Sequence, residues 1–234
     1  HFFGGYGEYC YAKADKSALI KLPDGIDPLA ASMFPCAGPT IIHALKLGGI
    51  FGGDCGLIET AIVQGAGPLG LFSCLWLKRN HVKNVYALLR DKDSPRAETI
   101  RTLTGCEVIS GSELDSKIAG GFEADLCVEC SGNPAAFNTG CGLLRNRGIY
   151  LVPGQYSNSG GIDFQPQIIT FKALRIFGSS QYDASDVADY IGFLDANREI
   201  YPEISKHVKT FPLTDVNEAI SAAESHKYSK VVLV

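Results

Sequence analysis

The chain has 234 residues, enough to bury a sizeable core as one large domain or two small ones. Apolar residues make up 46% and charged residues 20%, ordinary for a soluble globular protein. The net charge is −4 with lysines and arginines scattered along the chain, so neither a nucleic-acid nor a membrane partner is expected.

The chain opens on His1 rather than Met and runs at once into FFGGYGEYCY, so missing upstream sequence is expected. Phe34 to Thr40, FPCAGPT, comes just before a helix-like stretch, and Cys36 there reads as a buried small hydrophobe or as one leg of a metal site. Thr60 to Leu77 holds no charge, but Gln64, Pro68 and three glycines break it into strand, turn and helix rather than a membrane span. Glu59–Gln64 is a β-branched run ending at glycine, a buried-strand signal. In the helix that follows, Leu69, Phe72, Leu75 and Trp76 fall on one face, and Pro68 suits its first turn.

The alternation then repeats. Residues 84–89 predict a strand, SPRAETIRTLTG a helix closed by Gly105, and CEVI a third strand. ADLCVECSG predicts a further strand, NPAAFNTGCGLLR a helix, and residues 148–154 another strand. ASDVADYIGFLDAN predicts a helix, Thr214 an N-cap for the last helix, and YSKVVLV a final strand. Short apolar runs alternating with helices predict an α/β fold, a doubly wound parallel sheet with helices on both faces. Eight dispersed cysteines point to free thiols in a reducing compartment, hence the cytoplasm. Cys127 and Cys130 match CxxC, yet on a strand they face opposite sides and cannot grip one ion.

Gly65-x-Gly67-x-x-Gly70 is a weak signal alone, but here it follows a strand and opens a helix, the context a dinucleotide site requires. The first glycine permits the turn, the second lets the backbone approach a pyrophosphate, and the third packs helix on strand. Pro68 and Leu69 complete the loop, and the helix N-terminus offers N–H groups to the phosphates. About 20 residues further on, an NAD site places an acid on the ribose hydroxyls. Leu89 and Arg90 fall there instead. Arg90, with Lys92, Ser94 or Arg96, suits a 2′-phosphate and hence NADP, whereas Asp91 or Asp93 leaves NAD open.

Together these pieces resemble the medium-chain dehydrogenase/reductase superfamily, in its zinc-dependent alcohol dehydrogenase branch (threonine and sorbitol dehydrogenase-like). GGYGEYCYAKADKSALIKLPDGIDPLAASM, IVQGAGPLGL, ADLCVECSGNPAAF, GIYLVPG and FPLTDVNEAI with KVVLV carry the resemblance in order and spacing. It implies three parts: residues 1–39 from a GroES-like catalytic domain, 40–178 as the Rossmann domain, and 179–234 as a return segment. It also implies an NAD(P)-dependent hydride transfer between nicotinamide and an alcohol or carbonyl substrate, with zinc polarising the oxygen in the intact enzyme. Cys36 matches the third zinc ligand and Thr40 a residue touching the nicotinamide. Ser131 and Gly132 match contacts beside the adenosine ribose. Val152, Pro153, Gly154, Phe177 and Gly178 match positions near the nicotinamide, and Lys230 a pyrophosphate contact. His43 reads as an ordinary polar helix position. The resemblance further implies a homodimer or homotetramer, joined near residues 163–178. The other ligands of such a zinc are absent from this sequence, so this chain alone is not expected to hold it. A zinc-independent enoyl or quinone reductase, or a module that only binds nucleotide or oligomerises, stays open beside the dehydrogenase reading.

Overall fold

The computed structural model describes residues 5–13, 17–52, 54–155, 157–225 and 227–234. The first four residues, on which the reading of an internal start rests, lie outside them. Two helices come first, α1 (Pro28–Met33) and α2 (Ala37–Leu47). A β/α alternation follows: β1 (Thr60–Gln64), α3 (Pro68–Arg79), β2 (Asn84–Leu88), α4 (Pro95–Thr104), β3 (Glu107–Ile109) and α5 (Gly111–Ala119). Its second half runs β4 (Ala124–Glu129), α6 (Pro134–Leu143), β5 (Leu144–Val152), α7 (Gln167–Lys172) and β6 (Arg175–Gly178). The chain then adds α8 (Ala184–Ala196), α9 (Tyr201–Lys206), β7 (Val208–Phe211), α10 (Val216–Glu224) and β8 (Lys230–Leu233).

Strands β1 to β6 form one parallel sheet in the order β3-β2-β1-β4-β5-β6. This is the doubly wound Rossmann order, and its switch point lies between β1 and β4. β7 and β8 pair in parallel as a separate two-stranded sheet. Residues 5–27 contribute no strand among the described residues. Those residues also hold no helix long and apolar enough to cross a membrane.

The period-2 alternation of side chains divides the sheet between two cores. Ala61, Val63 and Leu151 pack on the side of α2, α3 and α8, whereas Ile62, Tyr150 and Cys141 pack on the opposite side. Cys130 belongs to the first cluster and Cys127 to the second, so the CxxC sulfurs do face apart. All eight cysteines are free thiols.

Several local signals act as read. Pro68 stands at the start of α3, and Gly105 ends α4 in the left-handed region at φ 69°. Others need correction. β2 stops at Leu88 and β5 starts at Leu144 directly out of α6, which shortens that helix. α5 is not among the expected elements, although Ser110 and Glu113 form a capping box at its start. The helix α3 is buried from Gly70 through Leu77 rather than along one stripe. Phe72 explains why: Phe34, Tyr190 and Phe193 cover the side turned away from the sheet. Thr214 does not cap the last helix. Leu213–Asp215 form a 3₁₀ turn, Asp215 takes the cap position, and the Thr214 hydroxyl donates to the Asp215 carboxylate at 2.8 Å.

Candidate dinucleotide-binding site

The site is built from turns at the C-terminal ends of the strands. After β1, Gly65 adopts φ +107°, open to glycine at little cost, and its amide donates to Leu88 O at 3.1 Å. A Cβ on Gly70 would stand 2.1 Å from Gly65 O, so only glycine lets α3 start this close to the turn. A Cβ on Gly67 would meet nothing within 4 Å and would project into open space. The backbone there is bare, and the first turn of α3 carries no acidic residue. An anion can therefore approach the free N–H groups and the positive dipole end. Leu69 is half-buried beside Pro68. A cavity of about 30 Å³ adjoins Gly67 and Pro68 and is also lined by Arg96, Tyr228 and Ser229. Lys230, half-buried, is the next residue and opens β8.

Beyond β2 the candidate cofactor-selecting residues separate. Leu89 is buried and its amide bonds Ile109 O at 3.0 Å, so it offers no polar side chain. Lys92 is engaged with Glu113 at 2.6 Å. That ammonium, helped by the Ser110 amide and hydroxyl, pulls the Glu113 carboxyl down to about 2. Ser94 caps α4 and Asp91 accepts from the Asp93 amide at 2.9 Å. Arg90 projects as an exposed cation.

Across the switch point, the turns after β4 and β5 pack on the glycine turn and on each other. A Cβ on Gly65 would come within 3.0 Å of Ser131 Cα, and one on Gly132 within 3.0 Å of Gly154 O. Glu129, wholly buried and unnoticed in the sequence, organises this corner. Its Oε1 accepts from the Ser131 amide (2.7 Å), the Ser131 hydroxyl (2.5 Å) and the Gly132 amide (3.0 Å). Gly154 N donates to Glu129 O at 3.0 Å, and Val152 pairs with Gly178 one strand further on. Phe177 packs partly buried against the core, and Pro153 lies between Val152 and Gly154 at the strand end. Beneath the edge, the Tyr150 hydroxyl donates to Gln64 Oε1 at 2.9 Å and Gln64 Nε2 donates to Ala136 O at 2.8 Å. An acid and an amide inside apolar strands were the signals available for this network.

Cys36 and Thr40 lie at the start of α2. Cys36 is exposed, which excludes the buried-hydrophobe reading. Its sulfur lies 4.0 Å from Thr40 Oγ1, and the Thr40 hydroxyl donates to Cys36 O at 2.8 Å. Burial, followed by the neighbouring Cys36 thiol, pushes the Tyr182 hydroxyl up. His43 is more than an ordinary polar position: its Nδ1 lies 2.9 Å from Oδ2 of the wholly buried Asp186 on α8. Lys46 reaches the same carboxylate at 2.8 Å. Burial alone would raise Asp186, but Lys46, the Asp183 amide and His43 outweigh it and hold the carboxyl low. The result is an ionic clamp between α2 and α8. Among the described residues no group of three His, Cys, Asp or Glu side chains could hold a metal ion. Cys36 alone does not fit a zinc centre, which needs three protein ligands.

Residues 68–196 match the model of a family described as zinc-binding dehydrogenase. The chain is 26% identical over 245 residues to 5-exo-hydroxycamphor dehydrogenase of Pseudomonas putida, covering 99% of this chain and 64% of that protein. Among solved structures, an alcohol dehydrogenase from Thermotoga maritima superposes with a TM-score of 0.77 at 25% identity, over 92% of this chain and 59% of that one. An Escherichia coli alcohol dehydrogenase complexed with NADH superposes with a TM-score of 0.74 at 24% identity, over 92% of this chain and 62% of that one. The chain thus spans a little under two thirds of these relatives. With a match that takes in α3 to α8 and a sheet in doubly wound order, it belongs to the zinc-binding dehydrogenase family.

Proposed function

We propose that this chain binds a nicotinamide dinucleotide across the β1/β4 switch point, as part of an alcohol dehydrogenase-type oxidoreductase that moves hydride between nicotinamide and an alcohol or carbonyl carbon. The observation that carries this reading is the bare turn at Gly65–Gly70 under the N-terminus of α3. Backbone N–H groups there would hold the diphosphate, and Lys230 would add a cation. The turns at Ser131–Gly132 and Val152–Gly154, with Phe177 and Gly178, would orient the ribose and the nicotinamide. Thr40 would lie against that ring, with Cys36 on the same turn of α2. A metal at Cys36 would need further ligands that the described residues do not supply, so no step is assigned to one. In domain terms, residues 40–178 form the nucleotide-binding unit, with 1–39 and 179–234 belonging to the catalytic part. Eight free thiols accord with a cytoplasmic protein.

NADP is the cofactor this reading favours, because a buried Leu89 stands where the ribose-binding acid is expected and Arg90 is exposed at the turn. Fluorescence titration with NADPH and NADH tests it. Arg90→Ala is expected to weaken NADPH about tenfold, the scale of one charge-assisted hydrogen bond, and to leave NADH unchanged. Equal effects on both dinucleotides would refute the assignment, and no binding of either would refute the site.

Self-association through the β6 edge is the reading for oligomeric state. β6 is an edge strand, and Phe171, 81% exposed, borders an open groove of about 630 Å³ with Phe164, Ile168 and Lys172. Light scattering should give a dimer or tetramer that Phe171→Glu dissociates, and a monomeric wild type would rule the edge out.

A further inference from the structure

Among the described residues, four buried side-chain polar atoms lack a hydrogen-bond partner: Glu129 Oε2, Ser179 Oγ, Asp186 Oδ1 and His207 Nε2. Buried polar groups are nearly always satisfied, so each one asks for an explanation. Asp186 Oδ1 has its counter-charge in Lys46 at 2.8 Å, and His207 faces Glu203 at 3.6 Å. The other two flank the Val152–Gly154 turn at the C-terminal edge of the sheet. Glu129 Oε2 is sealed against Gly154, where a Cβ would come within 2.5 Å of it. Ser179 is different in kind. It follows the last residue of β6, it is only 8% exposed, and its amide continues the ladder to Val152 O at 3.3 Å. Its hydroxyl nevertheless finds no acceptor and no donor, although a serine side chain has three staggered orientations from which to choose.

We infer that Ser179 is a further cofactor residue, its hydroxyl reserved for the carboxamide of the bound nicotinamide. The inference rests on the dinucleotide reading above. In a doubly wound sheet the glycine turn of the first half serves one nucleotide, and the second falls to the other half, here β4, β5 and β6. The planar amide of the second nucleotide offers an N–H donor and a carbonyl acceptor, and one hydroxyl at a strand end can meet either. The inference requires χ1 of Ser179 to turn Oγ towards the ligand when the dinucleotide binds. Ser179 thereby acts on orientation of the ring and not on the diphosphate, which the Gly65–Gly70 turn holds.

The test titrates the full chain and Ser179→Ala with NADPH and with 2′-phospho-ADP-ribose, which keeps everything but the nicotinamide. In the variant, NADPH affinity should fall about tenfold while the fragment binds as before. The ligand-free melting temperature should hold or rise, because the substitution removes a hydroxyl that has no partner in the free protein. Unchanged NADPH affinity would overturn the inference. So would an equal loss for the fragment, or a lower melting temperature without ligand, since either makes the hydroxyl a brace of the fold. Failure of the wild type to bind either ligand would instead overturn the dinucleotide reading itself.

Discussion

Gly70→Ala is expected to abolish dinucleotide binding and to cost about 3 kcal/mol of stability, the upper end for forcing a methyl group into a packed site. The added carbon would stand 2.1 Å from the oxygen and 2.9 Å from the carbonyl carbon of Gly65. Both are backbone atoms, and neither can rotate away. α3 must then lift from β1, and its N–H groups leave the place where a diphosphate would sit. Gly67→Ala provides the contrast. Its backbone is extended at φ −72°, ψ −179°, which alanine accepts, and its Cβ would touch nothing within 4 Å. Its melting temperature should match the wild type while NADPH affinity drops at least tenfold, because the methyl occupies ligand space. Thermal melts with NADPH titration decide this. An unaltered affinity in Gly67→Ala would mean that the turn is structural only.

Phe72→Ala should destabilise the chain by about 3–5 kcal/mol, the range for emptying a large buried aromatic site. Phe72 has no exposed surface, and its ring lies 5.3 Å from Phe34, 5.6 Å from Tyr190 and 5.3 Å from Phe193. Those rings come from the segment before Cys36 and from α8, so the cluster joins three parts of the chain across the outer side of α3. For a chain of this size the loss corresponds to a fall of roughly 10 °C in melting temperature. A fall below about 3 °C would show that the neighbours collapse into the space and that the cluster is not a rigid junction.

Some of this architecture could be read directly. The turn at Gly65–Gly70, the proline at the start of α3 and the glycine closing α4 obey steric rules that span a few residues. Where two neighbouring residues satisfy the same rule, reading fails, and the last helix is the example. Thr214 and Asp215 are both good caps, and only the 3₁₀ turn before α10 selects the second. α5 escaped because a short amphipathic helix resembles a polar loop until Leu114 is known to be buried. His43 looked unremarkable because its partner, Asp186, lies 143 residues away. Glu129 hid inside an apolar strand, where its value depends on the turn that folds back over it.

By itself the sequence determined the alternation of strands and helices and the place of the glycine turn, and it put Leu89 and Arg90, followed by Asp91, after the second strand. Each follows from local sterics or from one residue's chemistry. Only the tertiary structure decided which groups meet: Ser131 against Gly65, Gly132 against Gly154, Asp186 between His43 and Lys46. Those meetings depend on strand order, which brings β1 beside β4 across some 60 intervening residues. Contact energies between such distant segments are set by packing of the whole sheet, and no short stretch of chain carries them.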